Sequence, residues 1–214
     1  MKYWVFSVLA ALLAYTAGCL KSTVLASNFV FHKNLRRLGS GNVFISNFRR
    51  IYGWKGALKL ALVELALDLL PLAFGALLFK SGHHSAIGAS LAGVCLVLGR
   101  LYPASYGFRG SHAIIPLILM GFFVEVSIGI ALLVVAVALI WFSRYYSLGA
   151  IGCALVLIIT AVLMVDDPLT MRLGIIAAGL VIFYHLPAVL RMLNKSEPRL
   201  SFEQDISYKF DEKF

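Results

Sequence analysis

Charge is what this chain has least of. Only 14% of its 214 residues are Asp, Glu, Lys or Arg, and the acids number 10 against 19 basic residues. A soluble domain is typically about 25% charged and about 45–50% apolar, whereas 61% of this chain is hydrophobic and its mean hydropathy is +0.89. That shortage excludes an ordinary water-soluble domain. It implies a polytopic membrane protein whose length suits one compact bundle without a separate soluble domain. Cysteine is scarce too: Cys19, Cys95 and Cys153 all fall in apolar stretches, and there is no CxxC. The pattern excludes a thiol-based metal site and a disulfide framework, so the three are read as reduced packing residues. Internal repeats and low-complexity segments are also missing. The net charge of +9 lies in short connections and the tail, where it sets membrane orientation and meets anionic headgroups; nucleic acid is not an expected partner.

What is present is a series of long apolar runs. A membrane-crossing helix needs about 20 mainly apolar residues, which places spans near 3–27, 57–79, 85–101, 113–123, 126–143, 147–165 and 171–190. Met1 to Leu20 has one Lys and a long apolar run but no convincing cleavage site, and is read as an uncleaved first helix. Gly121, Glu125 and Gly129 blur the division between the fourth and fifth runs, so six spans is the alternative to seven. The basic residues choose between them. Lys33, Arg36, Arg37, Arg49, Arg50, Lys55, Arg100, Arg109, Arg144, Arg191, Lys195, Arg199, Lys209 and Lys213 fall on one face of a seven-span arrangement, against Lys2, Lys80 and Arg172 on the other. Positive charge marks the cytoplasmic side. The expected fold is therefore an all-α integral membrane bundle of about seven helices, N-terminus outside and C-terminus cytoplasmic. Residues 1–193 form the membrane domain and 194–214 a polar cytoplasmic tail.

The most polar stretch is Leu35 to Arg50, LRRLGSGNVFISNFRR. Arg36, Arg37, Arg49 and Arg50 bracket Gly39, Ser40, Gly41, Asn42, Ser46 and Asn47. Arginine forks bind phosphate bidentately, and glycines let backbone N–H groups approach an anion. A solvated basic loop is the plain alternative, but topology needs charge and does not need the Gly/Ser/Asn run. Gly99 to His112, GRLYPASYGFRGSH, again sets glycines (Gly99, Gly107, Gly110) beside Arg100, Arg109 and His112. It suits a second phosphate cradle or an ordinary interhelical turn. SRYYS, at 143–147, reads as a loop anchored by interfacial tyrosines. His185, with Arg191 and Glu197, closes the last span as either a structural hydrogen-bonder or a catalytic imidazole.

Charges inside spans are costly and usually face a cavity or a partner. Glu64 and Asp68, four apart, share a helix face, and one of them is expected to hold an arginine of the first loop. Glu125 and the Asp166–Asp167 pair are given no function. His83 and His84 lack further ligands nearby, so no metal is expected.

These clusters, in their order and over nearly the whole chain, resemble the bacterial acyl-phosphate-dependent glycerol-3-phosphate acyltransferases, the PlsY family. Arg36, Gly39, Ser40, Gly41, Asn42, Asn47 and Arg50 match its first motif; Gly99, Pro103, Phe108, Arg109 and Gly110 its second; His185, Arg191 and Glu197 its third. Arg144, Tyr145, Ser147 and Leu148 are similar to its arginine-tyrosine-x-serine-leucine stretch. The chain departs from the family at Phe44-Ile45-Ser46, at Arg100 where a His is usual, at His112 near the place of a glycine-flanked Lys, and at Ala188 in place of Asn.

The resemblance implies acyl transfer from acyl phosphate to the sn-1 hydroxyl of glycerol-3-phosphate, at the cytoplasmic membrane face and without a cofactor. Membrane lipids are the surrounding partners. It implies Ser40, Arg50 and His185 as catalytic residues. Arg36, Gly41, Asn42 and Asn47 would hold the glycerol-phosphate, and Gly107, Arg109, Gly110 and His112 the acyl phosphate. Glu64 and Glu197 would be structural supports. Acyl phosphate is already activated, so positioning, charge stabilisation and a proton acceptor suffice, without a covalent nucleophile. Three readings stand beside this one: an acyltransferase with another acceptor, a catalytically impaired homologue that binds lipid phosphates or scaffolds membrane enzymes, and a small transporter of anions.

Overall fold

The computed structural model describes residues 2–20, 45–82, 84–108 and 110–196, with backbone alone for residues 2, 3, 45–52 and 82. Seven α-helices lie within the described residues: α1 (Lys2–Cys19), α2 (Ile45–Leu78), α3 (Ser85–Leu101), α4 (Ile114–Val124), α5 (Val126–Ser143), α6 (Tyr146–Met164) and α7 (Pro168–Leu193). Two single 3₁₀ turns, Lys80–Gly82 and Ala104–Tyr106, join α2 to α3 and follow α3. No strand occurs among the described residues. The chain divides into two compact units, one of Met1–Leu20 and Asp68–Arg199, the other of Lys21–Leu67 and Leu200–Phe214.

Five stretches are long and apolar enough to cross a bilayer: Gly53–Leu78, Ser85–Tyr106, Val126–Ser143, Tyr146–Met164 and Pro168–Leu193. Trp4–Cys19 and Ile114–Val124 are shorter apolar helices. The expected boundaries of the later spans hold to within a few residues, because polar punctuation ends each one. Glu125 takes an extended conformation (φ −156°, ψ 132°) that separates α4 from α5, the division the sequence leaves open. Arg144 ends α5 in the left-handed region (φ 60°). Asp167 caps α7 by accepting the Thr170 N–H at 2.7 Å, followed by Pro168 in the first turn, where a missing N–H costs nothing. Those hydrogen bonds hold the Asp167 carboxyl below its usual range.

The start of α2 differs from the sequence expectation. The helix begins at Ile45, so Asn47, Arg49 and Arg50 lie on helical backbone and not in a loop. The apolar count misses this turn because arginines interrupt it. Gly53 then breaks the helical dihedrals (φ 66°, ψ −167°), a conformation open chiefly to glycine. In this second unit Leu60 is buried, whereas Trp54, Leu58 and Leu62 are exposed.

In the first unit α3 is the central helix and packs against α1, α4 and α7. Buried apolar side chains meet from every helix of the unit: Ala14, Leu72, Leu96, Leu117, Leu132, Cys153 and Val181. Between apolar helices in lipid, close backbone approach and hydrogen bonds replace the hydrophobic driving force. Gly18 of α1 and Gly99 of α3 supply such an approach: a Cβ on Gly18 would sit 2.5 Å from the Leu96 carbonyl oxygen, and one on Gly99 3.0 Å from the Gly18 Cα.

Within this core Asp68 of α2 forms an ion pair with Arg100 of α3. Asp68 is 0% and Arg100 3% exposed. One carboxylate oxygen, Oδ1, accepts from both Arg100 Nη2 (2.5 Å) and Nε (3.2 Å), and Nη1 donates to the Leu20 carbonyl at 3.3 Å. The expectation that Glu64 or Asp68 would hold a first-loop arginine involves side chains outside the described residues; Asp68 itself is paired with the last turn of α3. Arg100, expected in a phosphate cradle, is committed to this pair.

Breaking a buried pair leaves an uncompensated charge. Asp68→Asn is expected to cost about 3–5 kcal/mol of stability, and Asp68→Leu with Arg100→Met much less. Reversible denaturation in detergent micelles measures both, and equal losses would show that the lone charge is not the cause.

Candidate active site

Ser40, Arg36, Gly41, Asn42, Arg109 and Glu197, like His83, lie outside the described residues. Asn47 and Arg50 are on the first turns of α2. Glu64 is half-buried on α2 in the second unit, and the remaining expected site residues, Gly107, Gly110, His112 and His185, belong to the first unit.

The connection after α3 is built backwards onto that helix. Arg100 C=O accepts the Ser111 N–H at 2.9 Å, and the Tyr102 N–H bonds to Leu98 C=O at 2.8 Å. Gly110 lies against the Arg100 and Leu101 carbonyl oxygens, where any Cβ would collide with them. Helix C-termini carry partial negative charge, so Gly110 is placed to close α3 and not to offer an anion its backbone. Gly107 turns the chain at φ 61° with open space around it. Tyr15 of α1 ties this connection down: its hydroxyl donates to Tyr102 C=O at 3.1 Å and accepts the Ala104 N–H at 3.3 Å. Nothing in the sequence singles out Tyr15, a lone tyrosine in an apolar run.

The loop then delivers His112 to His185. His112 Nδ1 lies 2.9 Å from His185 Nε2, and His185 Nδ1 lies 2.8 Å from the Val181 carbonyl one turn back on α7. The rings are 18° from parallel with centroids 5.2 Å apart. With nitrogens that close, this spacing is that of rings meeting edge to edge, in the plane a hydrogen bond requires. Tyr146, the first residue of α6, stacks obliquely on His112 with centroids 4.4 Å apart. Tyr184 meets His185 edge-on at 5.2 Å and Tyr102 at 5.6 Å. The SRYYS turn that positions Tyr146 is braced by Ser143, whose Oγ accepts the Tyr145 N–H at 3.1 Å and donates to Leu139 C=O. Tyr146 therefore acts as a wall of this site in addition to any interfacial anchoring.

Electrostatics set the charge state. His185 is 2% exposed and His112 is half-buried. Burial first, then His185 and then Arg191, push His112 down to about 3 from its ordinary 6.5. At neutral pH His112 is uncharged. It does not supply the cation of the lysine it stands near in the family motif. What it offers is one N–H and one lone pair.

The structure thus joins three stretches that are far apart in sequence: the second motif (His112), the SRYYS turn (Tyr146) and the third motif (His185, with Arg191 near enough to shift His112). Among the described residues no group of three or more His, Cys, Asp or Glu is arranged to hold a metal ion. A neutral imidazole at His112 beside an arginine suits proton transfer next to an anionic substrate.

Between pH 6.5 and about 3 the unfolded chain binds a proton at His112 that the folded chain refuses. His112 therefore contributes stability that is present above 6.5 and lost as pH falls toward 3. The midpoint of thermal unfolding should fall more steeply over that interval in the native protein than in His112→Gln. Parallel curves would contradict the assignment.

The family model described as glycerol-3-phosphate acyltransferase matches residues 8–195. A glycerol-3-phosphate acyltransferase of Thermoanaerobacter sp. (strain X514) is 25% identical over 201 residues, covering 94% of this chain and 99% of its own length. Two crystal structures of PlsY, an integral membrane glycerol 3-phosphate acyltransferase, share the fold with a TM-score of 0.73. The glycerol 3-phosphate form is 23% identical and covers 91% of this chain and 96% of that one. The lysophosphatidic acid form is 22% identical, covering 90% and 94%.

Proposed function

The chain belongs to the glycerol-3-phosphate acyltransferase family, and from that premise we propose that it transfers a fatty acyl group from acyl phosphate to the sn-1 hydroxyl of glycerol-3-phosphate. The products are lysophosphatidic acid, for phospholipid synthesis, and phosphate. The observation that carries this reading beyond membership is the convergence of His112, Tyr146 and His185 beside Arg191. Residues from three separate family stretches meet at one spot whose chemistry suits proton transfer.

The enzyme sits in the cell membrane as a multi-pass protein of seven spans, with the N-terminus outside and the C-terminus cytoplasmic. This rests on the bias of Lys and Arg to one face. The active site then faces the cytoplasm, where both phosphate-bearing substrates are met. Residues 1–193 carry the activity and 194–214 form a polar tail.

Ser40, Asn47 and Arg50, with Arg36 behind and Gly41 and Asn42 in the same run, hold the glycerol-phosphate. Arg109, with the turn at Gly107, receives the acyl phosphate, while Gly110 closes α3. His112 and His185 serve the attacking hydroxyl, and Glu64 and Glu197 support the cations. The motif match supports these roles, and the neutral state of His112 leaves Arg109 and Arg191 as the cations near the donor's motif.

The purified protein should release phosphate from palmitoyl phosphate and form lysophosphatidic acid only when glycerol-3-phosphate is present. Arg50→Ala is expected to lower that transfer by at least about 10²-fold at unchanged folded yield. Release that ignores glycerol-3-phosphate would indicate another acceptor or hydrolysis. No release from folded protein would indicate a lipid-phosphate-binding homologue.

A further inference from the structure

The connection after α3 that carries Gly107 and Arg109 has a strained shape. Pro103 is extended (φ −71°, ψ 120°), and its carbonyl accepts two N–H groups, those of Tyr106 at 3.1 Å and Phe108 at 3.0 Å. The chain then enters the left-handed region twice in succession, at Gly107 (φ 61°) and Phe108 (φ 59°). Glycine takes that conformation freely, whereas a bulky side chain does so at a cost. Burial of the ring does not offset it, since Phe108 is 63% exposed. Such strain persists only where the surroundings over-determine it, and it gathers at functional sites.

The surroundings that hold this connection belong to α1. The end of α3 leaves Tyr102 C=O and Ala104 N–H on either side of Pro103, which has no N–H of its own. One side chain can serve both groups only if it donates and accepts. The Tyr15 hydroxyl does so, donating to Tyr102 C=O at 3.1 Å and accepting from Ala104 N–H at 3.3 Å. The next residue, Ser105, donates through Oγ to Cys19 C=O at 3.3 Å, and Arg100 Nη1 donates to Leu20 C=O. The close approach of Gly18 to Gly99 brings α1 within reach for these bonds. All of these residues lie in the first unit. A spanning helix requires apolar bulk and not a phenol hydroxyl, so the oxygen of Tyr15 answers to the connection and not to α1.

We propose that Tyr15 is a positioning residue for the acyl donor: its hydroxyl holds the connection in the shape that receives acyl phosphate before the donor arrives. This rests on the acyl-transfer reading above and on the part given there to Gly107 and Arg109. Without the hydroxyl the connection relaxes from its left-handed turn, and binding has to restore it. That ordering cost falls on the donor. The acceptor, assigned to the first motif, meets no such cost. Once both substrates are seated the turn is restored, so the chemical step proceeds from the same geometry.

The test measures initial rates of the whole chain in lipid nanodiscs, varying palmitoyl phosphate and glycerol-3-phosphate separately. Tyr15→Phe removes only the hydroxyl oxygen. It is expected to raise KM for palmitoyl phosphate about 10-fold, with little change in kcat or in KM for glycerol-3-phosphate. Ser105→Ala, which releases the neighbouring bond to α1, should move the same constant in the same direction by about 3-fold. An unchanged donor KM in folded Tyr15→Phe would overturn the proposal while leaving the acyl-transfer reading intact. So would an equal rise in both KM values, or a fall in kcat alone, which is the mark of a smaller folded fraction and of a merely structural hydroxyl. If Tyr15→Phe does not fold, Ser105→Ala decides in its place, because Ser105 is exposed; an unchanged donor KM there would overturn the proposal. A native protein that makes no lysophosphatidic acid would instead overturn the acyl-transfer reading, and the role of Tyr15 with it.

Discussion

In the first unit a single carboxylate oxygen receives two hydrogen bonds from a guanidinium, where neither group meets water. Asp68 and Arg100 fix more than each other. Through Nη1, Arg100 also holds the Leu20 carbonyl just past the end of α1, and its own carbonyl receives the Ser111 N–H. One residue thus joins α2, α3, the exit of α1 and the root of the loop that carries His112. In a bundle whose helices meet largely through apolar and small side chains, such a directional link helps select one register among many that hydrophobicity would accept.

The polar residues of this charge-poor chain are layered in consequence. Asp68 and Arg100 neutralise each other in the core and give structure. Tyr15 clamps the connection after α3, and Ser143 braces the turn into α6. Outside these supports comes the pair of imidazoles, with tyrosines around it that contribute ring faces and edges. The family's chemistry asks for acyl and phosphate groups to be held together at a membrane.

Much of the fold was legible because punctuation is sharp. Glu125, Arg144 and Asp167 each end or cap a helix, and the boundaries of α5 and α6 follow them. The start of α2 was not legible, since Arg49 and Arg50 look like loop to a hydropathy count although the backbone there is helical. His112 and His185 were each visible as candidates, but a bond across 73 positions leaves no local trace. Asp68 is recognisable as a buried charge needing a partner, but that Arg100 supplies it depends on which helices adjoin. Tyr15 and Val181 gave no signal, for their work is done by a hydroxyl placed between two backbone groups and by a backbone carbonyl.

The brevity of α4 has a bearing on how it is housed. Its 11 residues rise about 17 Å, against roughly 30 Å of hydrocarbon. None of those residues is exposed, so the helix is enclosed by its neighbours. Backbone that stops short at membrane depth is tolerated where protein, not lipid, surrounds it. The length of α4 therefore answers to the helices packed around it and not to the thickness of a bilayer.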